Sequence, residues 1–492
     1  MNSRRAILRW VPRGGMLRAA SLLATGTALG QIIQVLAAPL LTRIYSPAEF
    51  GGLAIFVGLL GPITVMACLR FEMAIPLPKR DSAAYQVVGL AILSLIAITI
   101  LTATLTIDSV RSLLGKSGEG VMEKTYWLLP IGVFLGGLYQ LSSMWAVRKR
   151  SFGVIAKTRV QQGIGSAGTQ VLLGFFKLGS IGLIAGQIAG QAIGLTRLTG
   201  SLIRDYRQKK IGAISLRGLS WAFQRYQRFF KYDALASLLN TAGAQAPSIL
   251  FAKYFSPEVA GAYILSVRLL SAPITLVGKA LIQAMLPDVV AARYNGTLPP
   301  MVSNLRRFIT TLSLGPFLVV ALLAPLLFGH IFGPKWEGAG NVAAWTALWV
   351  AFQFTYSPLS VVLLAVEAQK MNLILQIISF LTRMFAIYLC HAYGYAVYSV
   401  IAYSVISAVF YMCATVCVEW RAGVELIRAA TDAIGGIFRA VIIASPVALS
   451  LVIANAPWVA ILSTTISVAL WLFYIQRDKS EHTKLEQGLV NS

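Results

Sequence analysis

The stretch Arg43-Ile44-Tyr45-Ser46-Pro47-Ala48-Glu49-Phe50-Gly51 opens an apolar run that carries Gly61-Pro62 and ends near Arg70. A second copy, Lys253-Tyr254-Phe255-Ser256-Pro257-Glu258-Val259-Ala260-Gly261, opens a run that carries Ala272-Pro273 and ends near Lys279. The copies stand about 210 residues apart, with a slip of one at the proline. A Ser-Pro helix start recurs by chance in many chains. Here a basic residue precedes it, a proline sits inside the span and a second basic residue closes it, which argues for a true internal repeat. An even number of spans separates the copies, so the repeat is parallel, with its pseudo-two-fold axis along the membrane normal. Two bundles that rock about a central cleft are the usual mechanical use of such symmetry.

Composition places those runs in a bilayer. Hydrophobic residues make up 57% of the 492-residue chain and charged residues only 12%, about half the charged fraction of a soluble domain. Mean hydropathy is +0.72. Lys and Arg number 42 against 18 acids, leaving a net charge of +24. In a chain this apolar, the surplus points to loops on the cytoplasmic face rather than to nucleic acid. Nuclear factors, soluble enzymes and disordered tails are excluded. Cys68, Cys390, Cys413 and Cys417 lack the paired spacing of a zinc site or disulfide framework, and His330, His391 and His482 are scattered, so no metal site is expected. The apolar run from about Ala19 to Leu41 is too long for a signal-peptide core and reads as a retained span.

The reading is an all-α polytopic membrane protein of about fourteen transmembrane helices. Their expected starts lie near residues 19, 50, 84, 126, 160, 178, 233, 258, 306, 342, 371, 394, 435 and 457. With the N-terminus in the cytoplasm, about 30 of the Lys and Arg fall inside and about seven outside, without reversal along the chain. Both termini are therefore expected in the cytoplasm. The layout is a six-helix bundle over 1–203, a basic linker over 204–231, a second six-helix bundle over 232–420, two additional spans over 421–476 and a tail over 477–492. The linker's interleaved Trp221, Phe223, Tyr226 and Phe229 make it either an interfacial helix for anionic lipid or a plain basic connection.

Ser46–Asp81, with Arg70-Phe71-Glu72 followed by Ala74-Ile75-Pro76-Leu77-Pro78, resembles the second-span region of bacterial polysaccharide repeat-unit flippases. Arg228–Pro287, with Gly261-Ala262-Tyr263 and Pro273, is similar to that family's seventh and eighth spans. Gly333-Pro334-Lys335-Trp336-Glu337 and Ser357-Pro358-Leu359-Ser360 resemble its ninth-to-tenth-span region. The likeness covers roughly residues 17–420, and the family belongs to the exporter superfamily that also holds multidrug antiporters and peptidoglycan-precursor flippases. It implies movement of an undecaprenyl-diphosphate-linked oligosaccharide from the cytoplasmic to the periplasmic leaflet of the bacterial inner membrane, serving lipopolysaccharide O-antigen or exopolysaccharide. Membrane lipids, a polysaccharide polymerase and chain-length proteins are the implied partners. Many members have twelve spans, two fewer than are read here.

Such a substrate needs cations for its diphosphate and polar groups for its sugars. A charge deep in a span costs at least about 2.5–3.5 kcal/mol and marks a functional site by default. Arg268 and Arg383 lie mid-span, and a guanidinium fork suits phosphate oxygens. Arg268 and Lys279 would share one helix face within about 20°, roughly 16 Å apart along the axis. For Arg268 the alternative is a buried ion pair or a bond to a carbonyl; for Lys279 it is snorkelling. Arg70 is a further candidate, or with Glu72 an interface anchor and stabilising pair. Gln31, Gln34, Asn240 and Gln245 are candidates for sugar hydroxyls, or for interhelical hydrogen bonds. No cofactor is expected; a proton or sodium gradient is the candidate driving force, with Asp233 and Glu72 the nearest carboxylates. No phosphate-loop motif for ATP occurs.

Two alternatives remain. A multidrug or ion antiporter of the same superfamily should present acids in its cavity, and no deep acid is read here. A membrane-embedded polymerase or ligase would be an enzyme with a large periplasmic loop. The longest outside segment, about Ile107 to Lys124, is too short for one.

Overall fold

A computed structural model of the chain describes residues 15–106, 125–208, 214–274, 285, 289, 292–366, 368–395, 398–453 and 457–490. All regular structure among them is helical. In chain order the helices are α1 (Gly15–Ile44), α2 (Pro47–Met66), α3 (Asp81–Thr106), α4 (Leu128–Arg148), α5 (Phe152–Phe175), α6 (Ser180–Gln208), α7 (Leu216–Arg228) and α8 (Leu235–Tyr254). There follow α9 (Pro257–Leu270), α10 (Leu298–Phe332), α11 (Glu337–Leu359), α12 (Val361–Ala365), α13 (Gln369–Ala392), α14 (Ser399–Arg421), α15 (Leu426–Ile453) and α16 (Pro457–Val490).

Ten described segments are long and apolar enough to cross a membrane. The four further spans expected from sequence fall on α5, α6, α8 and α9. Of these, α5, α6 and α8 are diluted by residues such as Arg159, Gln162, Gln187, Gln191, Asn240 and Gln245, and α9 is only 14 residues long. The helix expected near residue 160 starts at Phe152, because a scan for apolar runs stops at Lys157 and Arg159. The break between α5 and α6 is a tight turn in which Lys177 and Gly179 both take positive φ, 55° and 59°. The basic stretch 204–231 is largely helical: α6 runs to Gln208, and α7 buries Ala222 while leaving Leu216, Trp221 and Phe223 exposed.

Internal contacts divide the chain into two units, Val11–Leu265 and Ser266–Ser492. In the first, α1 packs on α5, α5 on α6, α6 on α4, α4 on α3 and α2 on α8. Lipid is as apolar as leucine, so such contacts depend on close packing and interhelical hydrogen bonds more than on burial itself. Tyr45 donates its hydroxyl to the Gln170 carbonyl at 2.7 Å, and Gln170 Nε2 donates to the Leu183 carbonyl at 3.0 Å, stitching the end of α1 to α5 and α6. Asp81 takes both Arg148, at 2.9 Å, and Lys149, at 3.0 Å, tying the start of α3 to the end of α4.

The two Ser-Pro copies meet inside this unit. Ser46 caps α2 by accepting from the Glu49 amide at 3.4 Å, and Ser256 caps α9 by accepting from the Val259 amide at 3.3 Å. Glu49 also returns a bond to the Ser46 amide, completing a capping box that Val259 cannot form. A methyl group on Gly51 would overlap the Pro257 carbonyl oxygen, and one on Gly261 would overlap that of Pro47. The contact is reciprocal, as a local two-fold requires. The unit boundary falls inside α9, because α8 lies along α2 and the start of α9 lies on the start of α2.

In the second unit, α10 packs on α11, α15 and α16, while α14 packs on α11 and α13. Arg306 on α10 is buried against Glu419 on α14, Nε to Oε1 2.9 Å. Arg439 on α15 reaches Asp478 on α16 at 3.2 Å, so the last two helices are tied to each other by charge.

Replacing Gly51 with Ala is expected to cost about 1–3 kcal/mol by overpacking, read as a lowered thermal unfolding midpoint in detergent. Gly153→Ala, where a methyl group meets open space, is the control and is expected to leave the midpoint unchanged or raised.

Candidate functional site

After Met66 the chain leaves α2 through a turn in which Leu69 and Arg70 adopt left-handed backbone, φ 49° and 64°, before a 3-10 turn over Phe71–Ala74. Left-handed backbone costs an L-residue about 1–2 kcal/mol, and the turn aims Arg70 at two acids. Arg70 Nε donates to Asp233 Oδ2 at 2.7 Å, and its Nη1 lies 3.5 Å from Glu72 Oε1. Asp233 comes from a π-helical turn, Phe229–Ala234, that leads into α8. Three residues singled out from the sequence thus form one cluster: Arg70 as an anion ligand or, with Glu72, a stabilising pair, and Glu72 and Asp233 as candidate coupling acids. Glu72 is 1% exposed and Asp233 43%, and neither Glu72 oxygen receives a hydrogen bond among the described residues. Burial pushes the Glu72 carboxyl from 4.5 up to about 7, against the pull of its own backbone N–H and of Arg70 and with a further push from Asp233.

The same unit contains a cavity of about 290 Å³. Its walls come from five helices: Gln34 on α1, Thr64 on α2, Tyr139 and Gln140 on α4, Arg159, Gln162 and Ser166 on α5, and Gln187 and Gln191 on α6. The spacings 159/162/166 and 187/191 put the polar groups on one face of each helix. What lets two such faces approach is a glycine stripe on α6. A side chain at Gly186 would strike Gln170, one at Gly190 would strike Ser166, and one at Gly194 would strike Gln162. Ser166 Oγ donates to Gln187 Oε1 at 3.5 Å. Arg159 Nη1 donates to Gln162 Oε1 at 3.4 Å, and its guanidinium carbon stands 4.9 Å from the centre of the Tyr139 ring. The buried oxygens of Thr64, Gln140 and Gln191 have no hydrogen-bond partner among the described residues. No carboxylate occurs among the described lining residues.

Of the residues singled out for sugar contact, Gln34 lines this cavity and Gln31 lies one turn before it on α1. Gln245 on α8 instead packs against Gly61 of α2, and Asn240 is exposed on α8. Of the cations, Arg268 sits half-buried in the last turn of α9. Lys279 lies outside the described residues. The shared face with Arg268 presumes one unbroken helix, whereas α9 ends at Leu270. Arg383 on α13 is surrounded by rings: its guanidinium carbon is 4.6 Å from the centre of Tyr411, 5.6 Å from Phe410 and 6.0 Å from both Trp349 and Tyr403. Cation–π attraction of this kind helps to hold a guanidinium among apolar side chains.

Arg159, Gln140, Gln162, Gln187 and Gln191 are not among the residues picked from sequence. The signal was present as a run of glutamines at helical spacing beside a four-residue glycine repeat, Gly182-Gly186-Gly190-Gly194. A search for apolar runs registers that pattern as soft span boundaries.

Residues 40–341 match the model of a family described as polysaccharide biosynthesis protein. No curated protein matches the chain in sequence. Among solved structures, the lipid II flippase MurJ in an inward closed conformation aligns with a TM-score of 0.70 and 14% identity, over 92% of this chain and 97% of that one. An inward-facing multidrug resistance transporter of the MATE family, in the MOP superfamily, aligns with a TM-score of 0.61 and 13% identity, over 82% and 94%. A MOP superfamily transporter from Pyrococcus furiosus gives 0.51 and 16%, over 84% and 97%. At these identities the likeness defines the fold alone: an all-helical architecture of the MurJ and MATE kind.

The Glu72 carboxyl makes stability pH-dependent with a definite sign. Its folded value lies above 4.5, so the neutral acid's contribution is complete below about pH 4.5 and is lost as pH rises through about 7. Between about pH 5 and pH 8 the thermal midpoint of the parent protein is expected to fall more than that of Glu72→Gln. The difference is worth up to about 3 kcal/mol, measured as paired melts in detergent.

Proposed function

The chain belongs to the polysaccharide biosynthesis protein family matched over residues 40–341, and we propose that it is a flippase for an undecaprenyl-diphosphate-linked oligosaccharide. The cargo moves from the cytoplasmic to the periplasmic leaflet of the bacterial inner membrane, by alternating access, to supply a surface polysaccharide such as O-antigen or exopolysaccharide. One observation carries the reading: a cavity lined by carboxamides, hydroxyls and Arg159, inside a helical bundle. Carboxamides and hydroxyls both give and accept hydrogen bonds, which is what a sugar's hydroxyls require. Polar and charged groups at membrane depth are expensive, and so mark a functional site by default.

The proposed diphosphate ligands are Arg268, Lys279, Arg70 and Arg383, with Arg268 foremost. For Arg70 to take a phosphate, Asp233 must let it go, because both anions compete for the same guanidinium edge. That exchange supports a role for Glu72 and Asp233 in coupling transport to a proton or sodium gradient. A neutral Glu72 and a charged one hold Arg70 differently, so proton occupancy there biases whether Arg70 is free to meet an anion. The reading is of a transporter and not of an enzyme such as a polymerase or ligase. A multidrug antiporter with cationic cargo is disfavoured because the cavity offers it a guanidinium and, among the described lining residues, no carboxylate.

The test uses the purified chain in vesicles with a diphosphate-linked oligosaccharide, reading the share that crosses to the other leaflet. Movement is expected for the parent protein, and loss of most of it for Arg268→Ala inserted to the same level. Absence of movement with and without an ion gradient would overturn the flippase reading.

A further inference from the structure

Arg159 differs from Arg306, Arg439 and Arg70 in what surrounds it. Arg306 has Glu419 at 2.9 Å, Arg439 has Asp478 at 3.2 Å, and Arg70 has Asp233 at 2.7 Å. Arg159 lines an open cavity, and no carboxylate among the described residues pairs with it. The Tyr139 ring covers one face of its guanidinium. Its one described hydrogen bond, to Gln162, is long at 3.4 Å. A guanidinium carries five N–H donors in a planar fork, so most of the fork is left to face the cavity. Around it stand three buried oxygens with no hydrogen-bond partner among the described residues, the Thr64 hydroxyl and the carboxamide oxygens of Gln140 and Gln191.

These two features call for a ligand that brings an anion and hydroxyl donors together. A bare diphosphate only accepts hydrogen bonds, so it would answer the guanidinium and the Thr64 hydroxyl and leave the Gln140 and Gln191 oxygens unmet. A neutral sugar would answer the oxygens with its hydroxyls and leave the guanidinium without a counter-ion. A ligand with both hydroxyl donors and a carboxylate answers all of them, and a carboxylate matches the Arg fork with two parallel bonds. The cavity, about 290 Å³, lies at the small end of ligand pockets, roughly 300–1,000 Å³. That suits one or two sugar rings better than a whole oligosaccharide.

We propose that this cavity seats an acidic sugar of the uronate type, and that Arg159 is the residue that selects it. The inference rests on the reading of the chain as an oligosaccharide transporter, and its test separates the two. In saturation-transfer NMR on the full-length protein in detergent, methyl glucuronide is expected to bind about tenfold more tightly than methyl glucoside, the size of one charge-assisted pair. Arg159→Gln is expected to erase that difference and Arg159→Lys to restore part of it, both melting like the parent. Equal binding of the two glycosides, or a preference that survives Arg159→Gln, would overturn the proposal. In vesicles, a diphosphate lipid bearing a glucuronate-ended disaccharide is expected to cross about tenfold faster than its glucose-ended counterpart. If Arg159→Gln slows both lipids alike, Arg159 serves the diphosphate and the proposal fails. If glucuronide binding depends on Arg159 but neither lipid crosses, the acidic-sugar site stands and the flippase reading falls.

Discussion

The contact on which the polar interior depends is the one between the glycine stripe of α6 and the Gln162, Ser166 and Gln170 face of α5. In hydrocarbon, two helices gain little by hiding apolar surface from each other, so association relies on how closely their backbones approach. Removing side chains from every fourth position of α6 lets the amide-bearing face of α5 lie against it. Gln187 and Gln191 are then brought opposite Gln162 and Ser166, and the Thr64 and Gln140 side chains close the space from α2 and α4. With larger residues on the stripe the helices would stand apart, and the carboxamides would face lipid with nothing to bond.

The chain holds its membrane cations in different ways, and each way suits a different use. Arg306 and Arg439 are neutralised by acids on neighbouring helices, which fixes helix positions and leaves little charge to offer. Arg383 is wrapped by aromatic rings from α11 and α14, with Gln353 bonded at 2.9 Å to the hydroxyl of Tyr411, one of the rings. Arg70 sits on a left-handed turn between one buried and one half-exposed acid. Its neutralisation is therefore partial and sensitive to the proton on Glu72. Arg159 has a ring on one face and the cavity before it.

Sequence alone conveyed the architecture well and the site unevenly. The repeat at Ser46 and Ser256 was legible because serine capping and proline at the first helical turn leave a short, position-specific trace. Membrane residence was legible from bulk composition. The pairing of Arg70 with Asp233 was hidden, since 163 positions separate the partners and only the packing of α8 on α2 brings them together. The glutamine cavity was missed for the opposite reason. Its residues are local and periodic, but a search for apolar runs counts each of them as noise at a span edge. Gln34 was found only because it stood out in an otherwise apolar first span. Burial of Glu419 was likewise unreadable, because a carboxylate one turn from a helix end looks solvated until Arg306 is seen against it.

The Gly51 and Gly261 contact has the form of an interface between identical partners, written twice into one polypeptide. Each glycine makes room for the carbonyl at the head of the other's helix, so a side chain at either position disturbs both. A side chain gained at one pushes away the helix whose own glycine receives the first helix in return, and the disturbance comes back to where it began. The two sites are consequently one unit of constraint. The copies differ around this crossing, at Glu49 and Val259, where one has a capping carboxylate and the other a hydrocarbon.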